Sequence, residues 1–462
     1  MAPLIDPTRM TASEIAAAIR AGRLSSADAV DAHLERIEHR NPVTNAIVTL
    51  DGERARALAR GVDLARTRAE PLGPLAGVPI TLKDCHATAG MRTTVGYAPL
   101  RDHVPDEDGT VAARMRAAGA IVLGKTNVPP LLAGPYTDNP IFGRTSNPWN
   151  VAHTPGGSSG GAAAAVADRL SPLDIGSDAV GSVRMPAHFC GVLGFKPSER
   201  RVSLVGHHCF GDLPGAPRGW RSICTSGPLA RSVADLELAF EILAGPDGRD
   251  TELIPLPFAR QPTPSLGSLR IAWARTLPGV PVAQELGDAV EALADELAHA
   301  GARVESCVPA IEWDAAFVTM WSLLQSMGTA MTPLDVEPTP ARIVTHTRLL
   351  DERDAILRAC DDFMRSYDVL LVPPCISTAF VHGTGRERFA VDGAMVDHRQ
   401  YAQHCGLFNT TGQPGVVLPF RVSAAGLPIG VQLVGRRWHD ERLLSIARAI
   451  EPITGPCPEP PT

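Results

Sequence analysis

A lysine and two segments rich in glycine and serine carry the residues whose types suit nucleophilic chemistry. Lys83 directly follows the apolar run 78–82. The two segments cover residues 154–161 and 176–187. A serine hydroxyl attacks a carbonyl only after a base takes its proton, and a lysine can be that base when burial keeps it neutral. These residue types could therefore supply a serine nucleophile and its base.

A different motif, at residues 119–126, matches the pattern G-x-x-x-x-G-K-[ST] of phosphate-binding loops. Such a loop needs a glycine-rich backbone that wraps the phosphates and then opens a helix. Here the inner residues, Ala-Ile-Val-Leu, are typical of a buried strand. Pro129 and Pro130 follow closely and disfavour the start of a helix. We therefore reject nucleotide binding at this segment.

A third interpretation starts from residues 156–160, which match the nucleophile-elbow pattern G-x-S-x-G with Ser158 at its centre. An elbow lies between a strand and a helix and needs a partner histidine. The alanine-rich residues that follow predict the helix, whereas residues 150–155 are short and broken by proline. His188, His207 and His208 come later, but no spacing marks one of them as the base. A Ser–His hydrolase stays open as a weaker alternative.

The elements that would position these residues alternate between helices and short apolar strands. Helices are predicted within 11–41, with Thr11 and Ser26 as N-caps, and over 111–118, 286–297 and 345–366. Strands are predicted over 77–82, 120–123, 302–304 and 369–372. This alternation predicts an α/β sheet that is covered by helices on both faces.

The bulk composition excludes several classes of partner. The chain has 462 residues and a net charge of −7, without a basic run, so we expect neither nucleic acid nor membrane as a partner. No apolar window reaches the length of a membrane span, and the first twenty residues do not resemble a secretory signal. The nine cysteines form no C-x-x-C pair and are expected to be reduced, in a cytoplasmic protein. No Cys/His spacing predicts a metal, and we expect no cofactor.

The lysine and the two glycine- and serine-rich segments, taken together, resemble the amidase signature family. The resemblance continues in residues 124–127, 194–197 and 414–435. It implies a single α/β/α domain with a mixed central sheet, preceded by an N-terminal helical segment at 1–65. The amidase domain would span 66–462. It would contain a signature core at about 70–245, a variable substrate region at about 255–390 and a C-terminal return at 400–450.

By this resemblance, Ser182 is the nucleophile, Ser158 bridges it to Lys83, and Lys83 is the final base. In this class of enzyme the peptide bond Gly157–Ser158 is cis. A lysine can accept a proton only when neutral, and burial without a facing carboxylate disfavours the ammonium and lowers the lysine pKa. Asp84 need not neutralise Lys83, because neighbouring residues of a strand point to opposite faces.

The resemblance also implies an oxyanion hole of backbone N–H groups. It would comprise Ala179, Val180, Gly181 and Ser182. The commonest family pattern has two glycines before the nucleophile, and Val180 replaces the first. A β-branched residue is disfavoured at positive φ. The loop therefore either needs no positive φ at Val180 or differs in shape, and Val180 could narrow the acyl side of the pocket.

Supporting roles are expected for three further residues near the two serines. Ser159 is predicted to cap the following helix. Asp178 and Arg184 are predicted to make structural hydrogen bonds around the catalytic turn, with substrate orientation as the other role open to Arg184. The pair His207 and His208 is expected in a loop near the pocket rim.

The resemblance implies hydrolysis of a linear amide C–N bond through an acyl-serine intermediate. Apolar residues at helical spacing in 310–330 are either core or one wall of an acyl pocket, and they favour an uncharged, partly apolar, aryl or alkyl amide. These are Trp313, Phe317, Met320, Trp321, Leu324 and Met327. Three alternatives stay open: a carbamate hydrolase of the same mechanism, a glutamine-dependent amidotransferase A-type subunit, or, last, a non-catalytic scaffold. The expected partner is a small-molecule amide, and a homodimer is one option for assembly.

Overall fold

Helices and strands alternate along the chain in the computed structural model, which describes residues 6–208, 222–329, 340–383 and 388–461. The helices are α1 Ala12–Arg20, α2 Ser26–Thr44, α3 Gly52–Thr67, α4 Thr110–Ala117, α5 Gly160–Ala167, α6 Arg184–Cys190, α7 Val233–Leu243, α8 Gln284–His299, α9 Trp313–Thr329, α10 Pro340–Phe363, α11 Gln403–Thr410 and α12 Asp440–Thr454. The strands are β1 Ile47–Leu50, β2 Pro79–Lys83, β3 Ile121–Thr126, β4 Asp138–Asn139, β5 Gly143–Arg144, β6 Leu173–Asp178, β7 Leu193–Lys196, β8 Thr225–Ala230, β9 Arg270–Trp273, β10 Arg303–Ser306, β11 Val369–Val372, β12 Phe389–Val391, β13 Ala394–Val396, β14 Gly415–Val422 and β15 Pro428–Val434.

Within the described residues, one mixed sheet of 11 strands runs in the order β1-β3-β2-β6-β8-β7-β14-β15-β11-β9-β10. Strand β2 is parallel to both of its neighbours, β3 and β6. From β6 to β11 each strand is antiparallel to the next, and β11, β9 and β10 are parallel. The mixed central sheet is therefore confirmed. Because β2 and β6 are parallel, Lys83 and Asp178, at their carboxyl ends, lie at the same edge of the sheet.

Helices cover both faces of this sheet, as the residues of β14 show. Val416 and Leu418 belong to the hydrophobic core that contains residues of α7 and α12. The intervening Val417 packs into a separate core with residues of α5 and α6. Successive residues of a strand point to opposite faces, so one layer of helices lies on each side. The α/β/α fold class is confirmed.

Local sequence signals at the N-terminal helices explain where they begin. Thr11 caps α1, and Glu14 completes the predicted capping box. Helix α2 is capped by Ser25 rather than by Ser26, since the Ser25 side chain accepts a hydrogen bond from Asp28 N at 2.9 Å. Ser26 lies one residue inside the helix, where its Oγ donates to Gly77 O at 3.1 Å.

The N-terminal segment 1–65 also contributes a strand. β1 pairs antiparallel with β3 at the end of the main sheet, and α3 continues to Thr67. The domain boundary at residue 65 stays a prediction. No helix in the described part of the chain has the length and apolarity needed to cross a membrane.

Candidate active site

Lys83 lies at the carboxyl end of β2, a strand whose five residues are all buried. Its Nζ donates hydrogen bonds to Ser158 Oγ at 2.7 Å, to Ser177 Oγ at 3.0 Å and to Ser177 O at 3.2 Å. Burial lowers the pKa of Lys83, because the charged ammonium loses its hydration. The lysine is thus held among hydroxyl and carbonyl oxygens under conditions that favour its neutral form.

Ser158 lies in the turn before α5, and the Gly157–Ser158 peptide bond is cis. Gly157 has no space for a side chain, since a Cβ atom there would lie 2.5 Å from Gly134 O. Thr137 Oγ1 donates to Gly156 O at 2.8 Å and fixes the turn from the other side. This packing directs the Ser158 hydroxyl towards Lys83.

Ser182 lies in the loop between β6 and α6 and is half-buried, whereas Ser158 and Lys83 are almost inaccessible. Ser159 N donates to Ser182 O at 3.2 Å, which joins the two serine-containing segments. The structure thus brings Lys83 and Ser158 into direct contact and holds the segment of Ser182 beside them.

Asp178 holds the loop that contains Ser182. Its carboxylate accepts hydrogen bonds from Gly181 N at 2.7 Å and from Val183 N at 3.1 Å. Arg184 Nε and Nη2 donate to the same carboxylate, each at 3.0 Å. Burial would raise the pKa of Asp178, but the Arg184 guanidinium outweighs that effect and holds the pKa well below its usual range. The loop is therefore built around an ionised, fully buried carboxylate.

The remaining donors of Arg184 are used inside the protein. Nη1 donates to Gln432 Oε1 at 2.7 Å and to Cys405 O at 3.1 Å, and Nη2 donates to Asn409 Oδ1. The Arg184 side chain is 0% exposed. These contacts favour a structural role for Arg184 over substrate orientation.

One member of the predicted oxyanion hole is already occupied. The Gly181 N–H group donates to Asp178, so it is not free to bind a substrate oxygen. This contact reduces the predicted oxyanion-hole donors to the backbone N–H groups of Ala179, Val180 and Ser182. The reason is the shape of the loop, in which Gly181 takes the positive φ of 110° and turns its N–H towards the carboxylate.

Val180 is not among the residues with a positive φ, so its β-branched side chain fits the loop without strain. Gly181 is the position that needs glycine. A Cβ atom on Gly181 would lie 2.7 Å from the Cβ of Cys405 on α11. The loop therefore packs closely against α11, and the replacement of the first glycine by valine leaves this contact intact.

The side chain of Ser159 does not cap α5, contrary to expectation. Although Ser159 is the N-cap residue, its Oγ donates to Ser177 O at 3.2 Å and accepts from Ser177 N at 3.4 Å. The close approach of the turn to β6 makes the strand a nearer partner than the helix N–H groups. Ser159 thus connects the Ser158 turn to the strand that leads to Ser182.

Asp84 is directed away from Lys83. It lies 3.8 Å from Lys125 Nζ and accepts a hydrogen bond from Thr94 Oγ1 at 2.6 Å. Lys125 Nζ also donates to His86 O at 2.5 Å and to Thr93 Oγ1 at 2.9 Å. Lys125 belongs to β3, so residues 121–126 form a strand and not a phosphate-binding loop.

None of the three candidate histidines for an elbow mechanism hydrogen-bonds to Ser158 in the described residues. His188 Nδ1 accepts a hydrogen bond from Gly430 N at 2.8 Å. His207 is 1% exposed and packs edge-on against His86, with ring centroids 5.5 Å apart. The backbone of His207 also pairs with that of His86. His207 is therefore buried against His86 and does not lie at a pocket rim.

Sequence reasoning missed Ser177, Asp174 and Asn409. Ser177 binds Lys83, and its position directly before Asp178 in β6 was a signal that could have identified it. Asp174 is a buried carboxylate on the same strand, and its acidic side chain inside an apolar run was also a signal. Asn409 Nδ2 donates to Asp178 Oδ1 at 3.0 Å, from a position with no local signal.

The apolar helix predicted at 310–330 corresponds to α9, which packs against α11. Phe317 and Met320 are buried in the core. A Cβ atom on Gly406 would lie 2.6 Å from Met320 Sδ and 3.5 Å from Val180 Cγ1. Helix α9 thus contributes to the core, and Met320 of α9 and Val180 of the Ser182 loop both lie against Gly406 of α11. The side chain of Met327 lies outside the described residues.

Side chains that could bind a metal are scattered over the structure. In the described ranges, no cluster of three or more His, Cys, Asp or Glu side chains has an arrangement that could hold a metal ion.

Comparison with known proteins identifies the family. A family model described as Amidase matches residues 28–346 and 341–444. The chain is 34% identical over 497 residues to the A-type subunit of glutamyl-tRNA(Gln) amidotransferase from Synechococcus sp. (strain CC9605), with 97% of each chain covered. It is 35% identical over 476 residues to the putative amidase AmiB2 of Mycobacterium tuberculosis (strain ATCC 25618 / H37Rv), again with 97% of each covered. The solved structure of a bacterial aryl acylamidase is 26% identical, with 96% of both chains covered and a TM-score of 0.81. The chain therefore belongs to the amidase signature family, whose enzymes act on amide C–N bonds.

Proposed function

We propose that the protein hydrolyses an uncharged, partly apolar carboxylic amide, with an aryl or alkyl substituent, through an acyl-Ser182 intermediate. The observation that carries the proposal is the 2.7 Å contact between Lys83 Nζ and Ser158 Oγ at a fully buried strand end. A buried lysine that donates to a serine hydroxyl, beside a second and more accessible serine, has the parts of a proton relay.

In the acylation step, Ser182 Oγ attacks the amide carbonyl carbon while its proton passes to Ser158 Oγ. The Ser158 proton passes in turn to neutral Lys83 Nζ, which becomes an ammonium ion. Collapse of the tetrahedral intermediate breaks the C–N bond, and the same proton returns through Ser158 to the leaving nitrogen. Water then attacks the acyl-Ser182 ester by the reverse path and releases the carboxylate.

The negative oxygen of the tetrahedral intermediate needs donors that are free before the reaction. The N–H groups of Ala179, Val180 and Ser182 are the candidates, because no described residue accepts a hydrogen bond from them. The Asp178–Arg184 pair would hold these groups in place by anchoring the N–H groups on either side of Ser182, those of Gly181 and Val183. Such anchoring keeps the donors oriented without reorganisation during the reaction.

The surroundings of the loop support an uncharged substrate. Ala179 packs in an apolar cluster with Leu132, Leu204 and Cys224. Arg184, which could have bound a substrate carboxylate, is fully engaged inside the protein. An apolar surface whose described residues include no free cation favours a neutral group over a charged one.

A glutamine-dependent amidotransferase subunit is the second candidate, and it is favoured by the similarity to the cyanobacterial A-type subunit over 97% of both chains. A protein of that kind would need partner chains for its full reaction. A carbamate hydrolase would form an acyl-enzyme by the same steps. These candidates are separated by offering the isolated chain an anilide, the matching ester and carbamate, and glutamine side by side.

The decisive test is covalent labelling with a fluorophosphonate, followed by peptide mapping and anilide hydrolysis. We expect the label on Ser182, and loss of both label and activity in Ser182→Ala. The matched control is Ser226→Ala, since Ser226 is a buried serine on the neighbouring strand whose Oγ has no partner in the described residues. This control should keep both signals. Label on Ser158 would refute the mechanism and restore the elbow interpretation, and turnover that survives in Ser182→Ala would refute Ser182 as the nucleophile.

A further inference from the structure

A buried carboxylate lies close to the catalytic lysine without touching its nitrogen. Asp174 on β6 is paired with Thr81 on β2, two residues before Lys83. Residues two apart in a strand share a face, so Asp174 and Lys83 are on the same face of the sheet. Asp174 is 0% exposed.

The hydrogen bond made by Asp174 places its carboxylate above β2. Thr126 Oγ1, on β3, donates to Asp174 Oδ2 at 3.0 Å. Strand β2 runs between β3 and β6, and Thr126 is the residue of β3 that pairs with Lys83. A contact from β6 to β3 must therefore cross over β2, beside the side chain of Lys83. The other oxygen, Asp174 Oδ1, makes no hydrogen bond to any described residue.

The other titratable or charged groups that face Lys83 are neutral or already paired. Asp178 is paired with Arg184, and Lys125 is paired with Asp84. Burial raises the pKa of two nearby thiols and lowers the pKa of two nearby histidines. All four groups are therefore uncharged near neutral pH. These groups are Cys85, Cys224, His86 and His207. Asp174 is the one unpaired acidic group that faces the lysine in the described ranges.

We propose that Asp174 is a positioning residue for the reaction, acting through Lys83: its carboxylate stabilises the ammonium ion that Lys83 becomes when it takes the proton of Ser182. This inference rests on the proposed function and assigns a further residue to the same site. In the relay, the proton moves from Ser182 to Lys83 and back to the leaving nitrogen. Asp174 neither gains nor loses a proton in these steps.

The energetics agree with this arrangement. Burial raises the pKa of Asp174 to about 6, against the opposing effects of the nearby hydroxyl groups of Thr81 and Thr126 and of Lys83, so the carboxylate is largely ionised where the relay operates. A carboxylate close to an amine raises the pKa of that amine. Asp174 thus offsets part of the lowering that burial imposes on Lys83, and it makes the lysine a stronger base.

The test compares pH–rate profiles of kcat for the wild type and for Asp174→Asn on one anilide. Without the carboxylate Lys83 is less basic, so the ascending limb should move by about one unit to lower pH. The plateau should fall about threefold to tenfold, because a weaker base accepts the proton less readily. Asp174→Ser, also neutral but smaller, should give the same direction of shift, and it answers the case in which the first variant folds poorly.

Asp235→Asn is the matched control. Asp235 is also a buried aspartate, but it binds Ala12 N and Ser13 N at the start of α1, away from the site. Loss of the Asp235 carboxylate should lower the stability of the protein and leave the ascending limb of the pH–rate profile at its wild-type position. The proposal is overturned if the ascending limb of the Asp174→Asn profile coincides with that of the wild type or moves to higher pH. Failure of the proposed function is a separate result, since it would appear as a wild type without turnover or as a Ser182→Ala variant that keeps it.

Discussion

Replacing Arg184 with methionine tests whether the ion pair between Arg184 and Asp178 fixes the loop that carries Ser182. The substitution removes every side-chain donor that Arg184 directs at Asp178, Gln432 and Asn409 and leaves the carboxylate of Asp178 buried without its charged partner. Removal of one member of a buried pair costs about 3–5 kcal/mol. For a chain of this length, that loss corresponds to a thermal midpoint lower by roughly 3–5 °C.

Between about pH 5 and pH 7.5 the stability of the same variant should depend on the protonation of Asp178, whereas that of the wild type should not. In the wild type the pKa of Asp178 is held below its unfolded value, so the pair stabilises the fold above the unfolded pKa and is lost only as pH falls through the lower, folded pKa. Without Arg184, burial raises the pKa of Asp178 above the unfolded value. Protonation then relieves the buried charge, and the stability deficit should shrink as pH falls from about 7.5 to about 5.

The assay is thermal unfolding at several pH values, with anilide turnover measured in parallel. The double variant Asp178→Asn/Arg184→Met is the control, since it removes both charges and should recover part of the stability but not the turnover. Turnover should fall in Arg184→Met because the Asp178 carboxylate, which anchors the N–H groups of Gly181 and Val183, is no longer held by the guanidinium, and in the double variant because that carboxylate is itself removed. A deficit of Arg184→Met that is equal at pH 5 and pH 7.5 would refute the reasoning.

Two further predictions concern the base and the loop. Because burial lowers the pKa of Lys83 and only its neutral form accepts a proton, kcat should rise with pH as Lys83 loses its proton; a flat profile from about pH 6 to 9 contradicts this. Lys83→Met should abolish the limb and lower kcat about 10²–10⁴-fold, as measured by stopped anilide assays. Gly181→Ala should lose turnover and about 1–3 kcal/mol of stability in denaturant titrations, since it combines a φ of 110° with overlap on Cys405. Gly301→Ala, at a φ of 97° where a Cβ atom would meet only Gly267 Cα at 3.9 Å, should show a smaller loss of stability and full turnover, and equal effects of the two changes would exclude the overlap as the cause.

Much of the fold could be predicted because its signals are local. The run before Lys83 is apolar and continuous, as expected of a strand buried on both faces, and it forms β2. Thr11 and Glu14 are three residues apart and form the capping box. The N-cap of α2 is Ser25 and not the predicted Ser26, because two adjacent serines fit the cap pattern equally and the contact of Ser26 with Gly77 decides between them.

The site was predicted in its chemical groups but not in its electrostatics. The segments of Lys83 and Ser158 were identified from the sequence, and the structure brings these two residues into contact. The partners of Arg184 at Asn409 and Gln432 are separated from it by 225 and 248 residues. Such contacts depend on the order of strands in the sheet, which periodicity does not specify. Asp174 was missed for the same reason, since its place beside Lys83 depends on the register between β2 and β6.

The modification rates of two buried thiols, those of Cys85 and Cys224, can report local opening of the structure near Lys83. Cys85 and Cys224 are 0% and 5% exposed, and burial raises the pKa of these thiols to about 11 and about 12. A thiol reagent can therefore modify them only when the residues that bury them move apart. Their rate of modification in native buffer, compared with that of the more exposed Cys307, measures how often the structure around these two thiols opens. Substrate analogues that bind the closed site should lower this rate of modification without contacting either sulfur.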